Sequence, residues 1–237
     1  MKRLLLIIFL FLPIFSSQSQ VRDQISFSKA IEDNIREYSK KSNTAYHFQD
    51  LERAEFLFDS IIDNVIKGSY MDNFEVNKKS GFKTEIYEFK KPIILISYCT
   101  WCTPGKGEIP ALNKIAKKYH KDIDFIVLFW DSKENVRKAT RKYSKRINIL
   151  YVDERDNQSD HIVKTIKHSF GMPTTFFIDE QKMIVDLRRS VIDQYNEEFE
   201  ISFNSNYSSF LSGVSILKDL NENSGIISEK PKLPKEI

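Results

Sequence analysis

Cysteine is scarce in this chain. Only two cysteines occur among 237 residues, and both lie in the segment Cys99-Thr100-Trp101-Cys102. Cysteines three positions apart close a loop too small to join distant parts of a core, so the sequence excludes a bracing disulfide framework. Chemistry at the two thiols is therefore the favoured interpretation.

Residues and motifs needed for several other kinds of site are also missing. No phosphate-binding loop of the G-x-x-x-x-G-K-[ST] or G-x-G-x-x-G type is present, so no nucleotide is predicted. A formal charge of +3, from 36 Lys and Arg against 33 Asp and Glu, gives no field strong enough to predict a nucleic-acid partner. The four histidines are spaced unlike metal ligands, so neither a metal nor another cofactor is predicted: His47, His120, His161 and His168.

The first residues have the three-part layout of a secretory signal. Met1-Lys2-Arg3 is followed by the apolar run Leu4 to Phe15 and by small and polar residues, which predicts cleavage after Ser19. The run is shorter than the about 20 residues that span a bilayer, so an uncleaved membrane anchor is the alternative. Export predicts a periplasmic protein, or one anchored in the membrane and facing the periplasm, in a compartment where disulfides persist.

Hydrophobic periodicity predicts helices first, then alternating strands and helices. Apolar residues recur at helical spacing from Phe27 to Tyr38 and from Phe48 to Val65, which predicts two amphipathic helices. From residue 84 the alternation predicts an α/β domain with a central sheet. Its predicted elements are strands 84–89 and 92–98, helix 105–119, strand 123–129, helix 133–147, strand 148–152, helix 159–168, strands 174–178 and 182–188, and helix 208–220.

These patterns divide the chain into four parts. They are a signal peptide at 1–19, a helical N-terminal extension at 20–80, an α/β domain at 81–220 and a mobile tail at 221–237. The two helices of the extension are interpreted as packed against the domain rather than as a partner-binding groove.

The helix predicted at 133–147 has a basic outer face. Its cations are Lys133, Arg137, Lys138, Arg141, Lys142, Lys145 and Arg146. We interpret this face as solvated. Attraction of an acidic partner or of an anionic membrane surface is the alternative.

Two motifs stand out in the α/β domain: WCTPGKGEIP at 101–110 and FGMPTTFFID at 170–179. The first resembles W-C-x-x-C-[KR]-x-E-x-P, and the second resembles G-x-P-T-x-F-x-I-D, of the thioredoxin-like TlpA/ResA type of exported bacterial thiol-disulfide proteins. The resemblance covers roughly residues 82–190. It implies a thioredoxin-like central sheet flanked by helices, with a cis proline at Pro173 facing the active cysteine.

The resemblance shifts the interpretation of the two cysteines. Anchored on Trp101, Glu108 and Pro110, it places Cys102 at the family's attacking cysteine and Gly105 at its resolving cysteine. Cys99 then falls at the end of the central strand, where the family has no catalytic residue. A thiol just before a helix meets free N–H groups and the positive end of the helix dipole, which favour the nucleophilic thiolate.

Three alternatives remain open for the step after Cys102 has reacted. Cys99 is a substitute resolving thiol if the chain bends enough to bring the two Cα atoms within about 7 Å, whereas three extended residues cover about 10 Å. Alternatively, an outside thiol resolves the mixed disulfides of Cys102. In the third alternative the domain has lost redox turnover and is a non-catalytic binding or chaperone-like module.

The sequence thus predicts an enzyme, an exported thiol-disulfide exchange protein. Its predicted partners are protein thiols and disulfides and a redox partner protein, with the membrane only through an uncleaved signal. An extended substrate is expected to add as a strand before Pro173. The predicted site residues are Cys102 and Cys99 for catalysis, Trp101, Met172, Pro173 and Thr174 for substrate binding, and Glu108 and Lys106 for tuning.

Overall fold

The computed structural model describes residues 25–153, 155, 163–167, 169–189 and 197–228, so the predicted signal peptide lies outside the described residues. The helices in this part of the chain are Phe27–His47 (α1), Leu51–Ile61 (α2), Glu108–Tyr119 (α3), Lys133–Ala139 (α4) and Phe199–Ser228 (α5). The strands are Glu75–Lys78 (β1), Lys83–Glu85 (β2), Ile93–Tyr98 (β3), Asp124–Phe129 (β4), Ile147–Tyr151 (β5), Thr174–Ile178 (β6) and Ile184–Arg189 (β7).

The described strands form one mixed seven-stranded sheet in the order β2-β1-β5-β4-β3-β6-β7. β3, β4 and β5 run parallel, while β6 is antiparallel to β3 and to β7. Every residue of β3 is buried, which explains its continuous apolar sequence, since a strand covered on both faces shows no alternation. The predicted α/β class, with helices flanking a central sheet, is confirmed.

Each face of the sheet has its own apolar core. Phe176 of β6 packs edge-on against Phe27 of α1 on one face. The next residue, Phe177, points to the other face and belongs to the core formed with α3 and α5. Phe27 and Phe177 have no exposed surface, and burial of each such side chain stabilises the fold by about 1.5–3 kcal/mol. The N-terminal helices are therefore packed onto the sheet.

The segment 75–88 differs from the prediction. Strand β1 lies inside the range 20–80 assigned to a helical extension, and it pairs antiparallel with β2 and β5. The strand predicted at 84–89 ends at Glu85, and Ile86–Glu88 forms a 3-10 turn. Strands of four and three residues are too short to show a clear alternation, so their pairing with neighbours defines them.

The helix predicted at 133–147 is too long. α4 ends at Ala139, a 3-10 turn at Thr140–Lys142 follows, and Ile147 already begins β5 opposite Phe125 of β4. The buried apolar residues of this segment have helical spacing, but parallel pairing with β4 requires an extended chain from Ile147. The predicted basic face is therefore distributed over a short helix, a turn and a loop.

The remaining predicted helices are described in part. Of the helix predicted at 159–168, the described residues Val163–Lys167 form a π-helical turn. α5 contains the helix predicted at 208–220 and extends beyond it at both ends, so residues 221–228 of the predicted mobile tail are helical. No helix in the described part of the chain is both long and apolar enough to cross a membrane.

Candidate active site

A turn at the end of β3 brings the two cysteines together. The amide of Cys102 donates to the carbonyl oxygen of Cys99 at 3.2 Å. The two Cα atoms lie 5.2 Å apart, and the side chains form a disulfide. Ends closer than about 7 Å define a β-turn, and this spacing suits a disulfide. The chain therefore bends directly after Cys99, the condition under which Cys99 is a candidate resolving thiol.

The two sulfurs differ in their access to solvent. Cys99 is 1% exposed, whereas Cys102 is half-buried and packs against the core on the α3 side. An incoming thiol or disulfide therefore reaches Cys102 first. A resolving thiol has to reach only the attacking sulfur, so the burial of Cys99 suits that role.

Thr100, inside the turn, is anchored to Asp131, which lies two residues after the end of β4. Its hydroxyl donates to the carboxylate of Asp131, which also accepts from the Ser132 amide at 2.6 Å and from the Asn135 side chain at 2.9 Å. Burial alone raises the pKa of Asp131, but these hydrogen bonds to the carboxylate outweigh it and hold the pKa below its ordinary value. Sequence reasoning missed Asp131, because its contact with the turn depends on β3 and β4 lying side by side.

We expect Thr100→Val to make the disulfide easier to reduce. Without the hydroxyl anchor, the reduced turn samples more conformations, and closing it costs more entropy. A hydrogen bond to a charged group contributes about 1.5–3 kcal/mol, so its loss raises the reduction potential of this two-electron couple by up to about 30–60 mV, the full value applying if the reduced turn lacks the bond. Equilibration with glutathione buffers, followed by thiol labelling, measures the potential. Thr100→Ser keeps the hydroxyl and should retain the wild-type potential; an unchanged potential in Thr100→Val contradicts the anchoring role.

Helix α3 begins later than predicted. The sequence places its start at Gly105, but the helix begins at Glu108 with Gly107 as its N-cap. The Gly105 amide donates to Oε2 of Glu108 at 3.2 Å, and the Gly107 amide donates to the Ser202 hydroxyl at 3.0 Å. Because the dipole acts only within the first turn of a helix, Cys102 lies outside its reach, and the predicted support from the helix start is wrong.

The C-terminal helix explains this late start. A Cβ atom on Gly107 would lie 2.0 Å from the backbone nitrogen of Phe203 in α5. Only glycine allows so close an approach of the two backbones. Ser202, which has no exposed surface, supplies the hydroxyl at this contact. The position at which α3 begins is therefore set by a helix almost 100 residues further along the chain.

Glu108 bonds to residues on both sides of the cysteine turn. It is 9% exposed and accepts hydrogen bonds from the Gly105 amide and, at 3.5 Å, from the Tyr98 hydroxyl. Burial raises the pKa of the Glu108 carboxyl, and the two hydrogen bonds oppose this only in part. Burial, and then the charge of Glu108, also raise the pKa of Tyr98. The residue predicted to tune the site is thus a buried acid.

We expect Glu108→Gln to stabilise the protein at neutral pH but not at acid pH. The folded-state pKa of Glu108 is raised, so the unfolded state loses its proton first, and the free energy of unfolding falls as pH rises through this interval. Well below the ordinary pKa of 4.5 both states are protonated, so the burial of Glu108 does not lower the free energy of unfolding through ionisation. Glutamine is neutral throughout. Urea unfolding at pH about 3.5 and about 7 measures the difference; a variant less stable than wild type at the higher pH contradicts it.

The second motif meets the cysteine turn at the same end of the sheet. β3 pairs antiparallel with β6, with Ser97 opposite Thr174, so the chain leaves β3 where it enters β6. The Met172–Pro173 peptide bond is cis, as the resemblance implies. Both of these residues are half-buried, whereas Thr174 is 1% exposed and its hydroxyl donates to the Gly171 carbonyl oxygen at 2.8 Å. Its side chain is therefore turned inward and leaves only its backbone for contact with a substrate.

The other predicted site residues lie on the surface around the turn. Trp101 is 75% exposed, and Lys106 is exposed in the turn before α3. The structure thus brings Cys99 and Cys102 together in one turn, with the exposed indole of Trp101 inside the turn and Glu108 bonded to Tyr98 and Gly105 on either side of it. Among the described residues, no group of three or more His, Cys, Asp or Glu side chains is placed to hold a metal ion.

The chain matches one family profile and is similar to several known proteins. The sequence profile of the AhpC/TSA family matches residues 68–187. Thioredoxin-like protein YneN of Bacillus subtilis is 26% identical over 125 residues, which cover 51% of this chain and 70% of that protein. Thiol-disulfide oxidoreductase ResA of Bacillus thuringiensis is 29% identical over 135 residues, covering 56% and 75%. The solution structure of a thiol:disulfide interchange protein from a Bacteroides species aligns with a TM-score of 0.45 at 20% identity, covering 55% of this chain and 86% of that chain.

Proposed function

Because the chain belongs to the AhpC/TSA family, we propose that it catalyses thiol-disulfide exchange through Cys102, with Cys99 as the resolving thiol. The family and the relatives named thiol-disulfide oxidoreductase confirm the thioredoxin-like, TlpA/ResA-type resemblance and the enzyme class. The choice of Cys102 and Cys99 rests on the turn that holds their Cα atoms 5.2 Å apart. The equivalence of Gly105 to the family's resolving cysteine stays a prediction.

The proposed reaction has two steps. The Cys102 thiolate attacks a substrate disulfide, forms a bond to one substrate sulfur and releases the other as a thiolate, which takes up a proton. The Cys99 thiolate then attacks the Cys102 sulfur, closes the Cys99–Cys102 disulfide and releases the second substrate thiol. Two electrons pass from the protein to the substrate. The reverse sequence oxidises a substrate dithiol and leaves both cysteines reduced.

The proposed substrates are protein thiols and disulfides. An exposed indole at Trp101 and the half-buried Met172–Pro173 segment support contact with an extended polypeptide that adds as a strand before Pro173. Export through the signal at 1–19 would place the protein in the periplasm, with a membrane-anchored form as the alternative. A redox partner protein there would reset the cysteine pair after each turnover.

Turnover on a protein disulfide tests the proposal. With dithiothreitol as the reductant, the wild-type chain is expected to reduce insulin disulfides faster than dithiothreitol alone. Alkylation before and after oxidation should show two thiols converted to one disulfide. A chain that binds insulin without accelerating its reduction would instead support the non-catalytic binding or chaperone-like alternative.

A further inference from the structure

A groove of about 490 Å³ opens beside the cysteine turn. Its walls are the segment Thr103–Lys106, Ile109 and Pro110 in the first turn of α3, and Asn113 with Lys142. The wall at 103–106 begins one residue after Cys102. A polypeptide lying in the groove therefore passes close to the reacting sulfur. The groove therefore lies where it can contact the segment that flanks a substrate cysteine.

Asn113 fixes the basic rim of this groove. Its side-chain amide donates to the Lys142 carbonyl oxygen at 2.8 Å, and its own carbonyl oxygen accepts from the Ser144 amide at 2.7 Å. The two bonds hold the turn after α4 against α3. The basic stretch at 133–146, which the sequence alone suggests is a solvated face, thus reaches the redox site through Lys142.

The charged side chains that line the groove are both positive. None of its lining residues is acidic, and within the described ranges neither Lys106 nor Lys142 forms a salt bridge. Both lysines are exposed, as are Arg141, Lys145 and Arg146 beside them. The two prolines of the lining, Pro104 half-buried and Pro110 exposed, add an apolar surface to the groove.

We propose that this groove selects substrate proteins in which acidic residues flank the reacting cysteine. The inference rests on the proposed function, because selection occurs while a substrate sulfur approaches Cys102. Carboxylates beside the substrate cysteine would pair with Lys106 and Lys142, while the adjoining aliphatic atoms cover Pro110. Complementary charge steers the encounter and raises association rates by about 10–10³. Two surface lysines correspond to the lower end of that range.

Charged peptides test the selection directly. Three peptides are compared, and each has a single cysteine activated with a neutral thiopyridyl group. The residues on either side of that cysteine are aspartates in the first peptide, serines in the second and lysines in the third. The rate at which the reduced full chain attacks each peptide is measured by stopped flow. Rates with mercaptoethanol correct for the intrinsic reactivity of each peptide. At low ionic strength the aspartate peptide is expected to react about tenfold faster than the serine peptide. At about 1 M salt, where the screening length is about 3 Å, this advantage should fall below about twofold.

Two matched double variants assign the effect to the groove. Lys106→Glu with Lys142→Glu should invert the rate ratio between the aspartate and lysine peptides. Lys117→Glu with Lys121→Glu makes the same change of charge in the last turn of α3 and just beyond it, and should keep the wild-type ratio. Equal ratios in the two double variants, or equal normalised rates of all peptides with wild type, overturn the selection and leave the proposed function intact. A wild-type chain that fails to react even with the serine peptide overturns both.

Discussion

Replacing Cys102 by serine should abolish disulfide exchange, lowering turnover by at least about a thousandfold, as expected for loss of a catalytic nucleophile. A hydroxyl at this position is not ionised at neutral pH and cannot form the mixed disulfide. Cys99 remains in the variant, but at 1% exposure it is not accessible to a substrate sulfur. Insulin reduction measures turnover, and thiol labelling of the native chain reports whether Cys99 stays protected.

A control shows whether Cys102→Ser still folds. Urea unfolding of wild type and Cys102→Ser is compared under reducing conditions, so that neither protein has the disulfide. Similar stability would show that the loss of turnover is chemical. A variant that reduces insulin within about tenfold of wild type would assign the attack to another group and remove Cys102 from the proposed site.

Replacing Cys99 by serine should convert the protein from one that turns over into one that accumulates a mixed disulfide. Cys102 still attacks the substrate, but release then depends on an outside thiol at its solution concentration. A positioned intramolecular group acts at an effective concentration far above any thiol in the buffer, so resolution is expected to slow at least about a hundredfold. Non-reducing electrophoresis and mass spectrometry measure the trapped adduct.

Added thiol provides the control for Cys99→Ser. Millimolar mercaptoethanol should release the trapped substrate and restore part of the turnover, because it replaces the missing resolving thiol. The double variant Cys99→Ser with Cys102→Ser should form no adduct. If Cys99→Ser released its substrate as fast as wild type without added thiol, resolution would not involve Cys99, and the alternative of an outside resolving thiol would hold.

Much of the fold was predictable from local pattern. β3 and β4 are almost entirely buried and appear as continuous apolar runs. The amphipathic spacing matches the face that α1 buries and, from Ala54 onward, the face that α2 buries, but Phe48 and Leu51 at the start of the second predicted helix are exposed. β1 and the end of α4 were not predictable in this way. A four-residue strand has too little pattern, and the boundary of α4 depends on the pairing of Ile147 with β4.

The sequence by itself determined the family resemblance, the α/β class and the two thiols on which the chemistry depends. It left open whether Cys99 meets Cys102, because the same four residues are compatible with an extended strand of about 10 Å and with a tight turn. In the tertiary structure these four residues form the turn. The Cα atoms of Cys99 and Cys102 lie 5.2 Å apart, and Thr100 is bound to Asp131, 31 residues away. The tertiary structure also decided where α3 begins, through the contact of Gly107 with α5. Both outcomes depend on segments that are distant in sequence and adjacent only in the folded chain, and local pattern does not record such contacts.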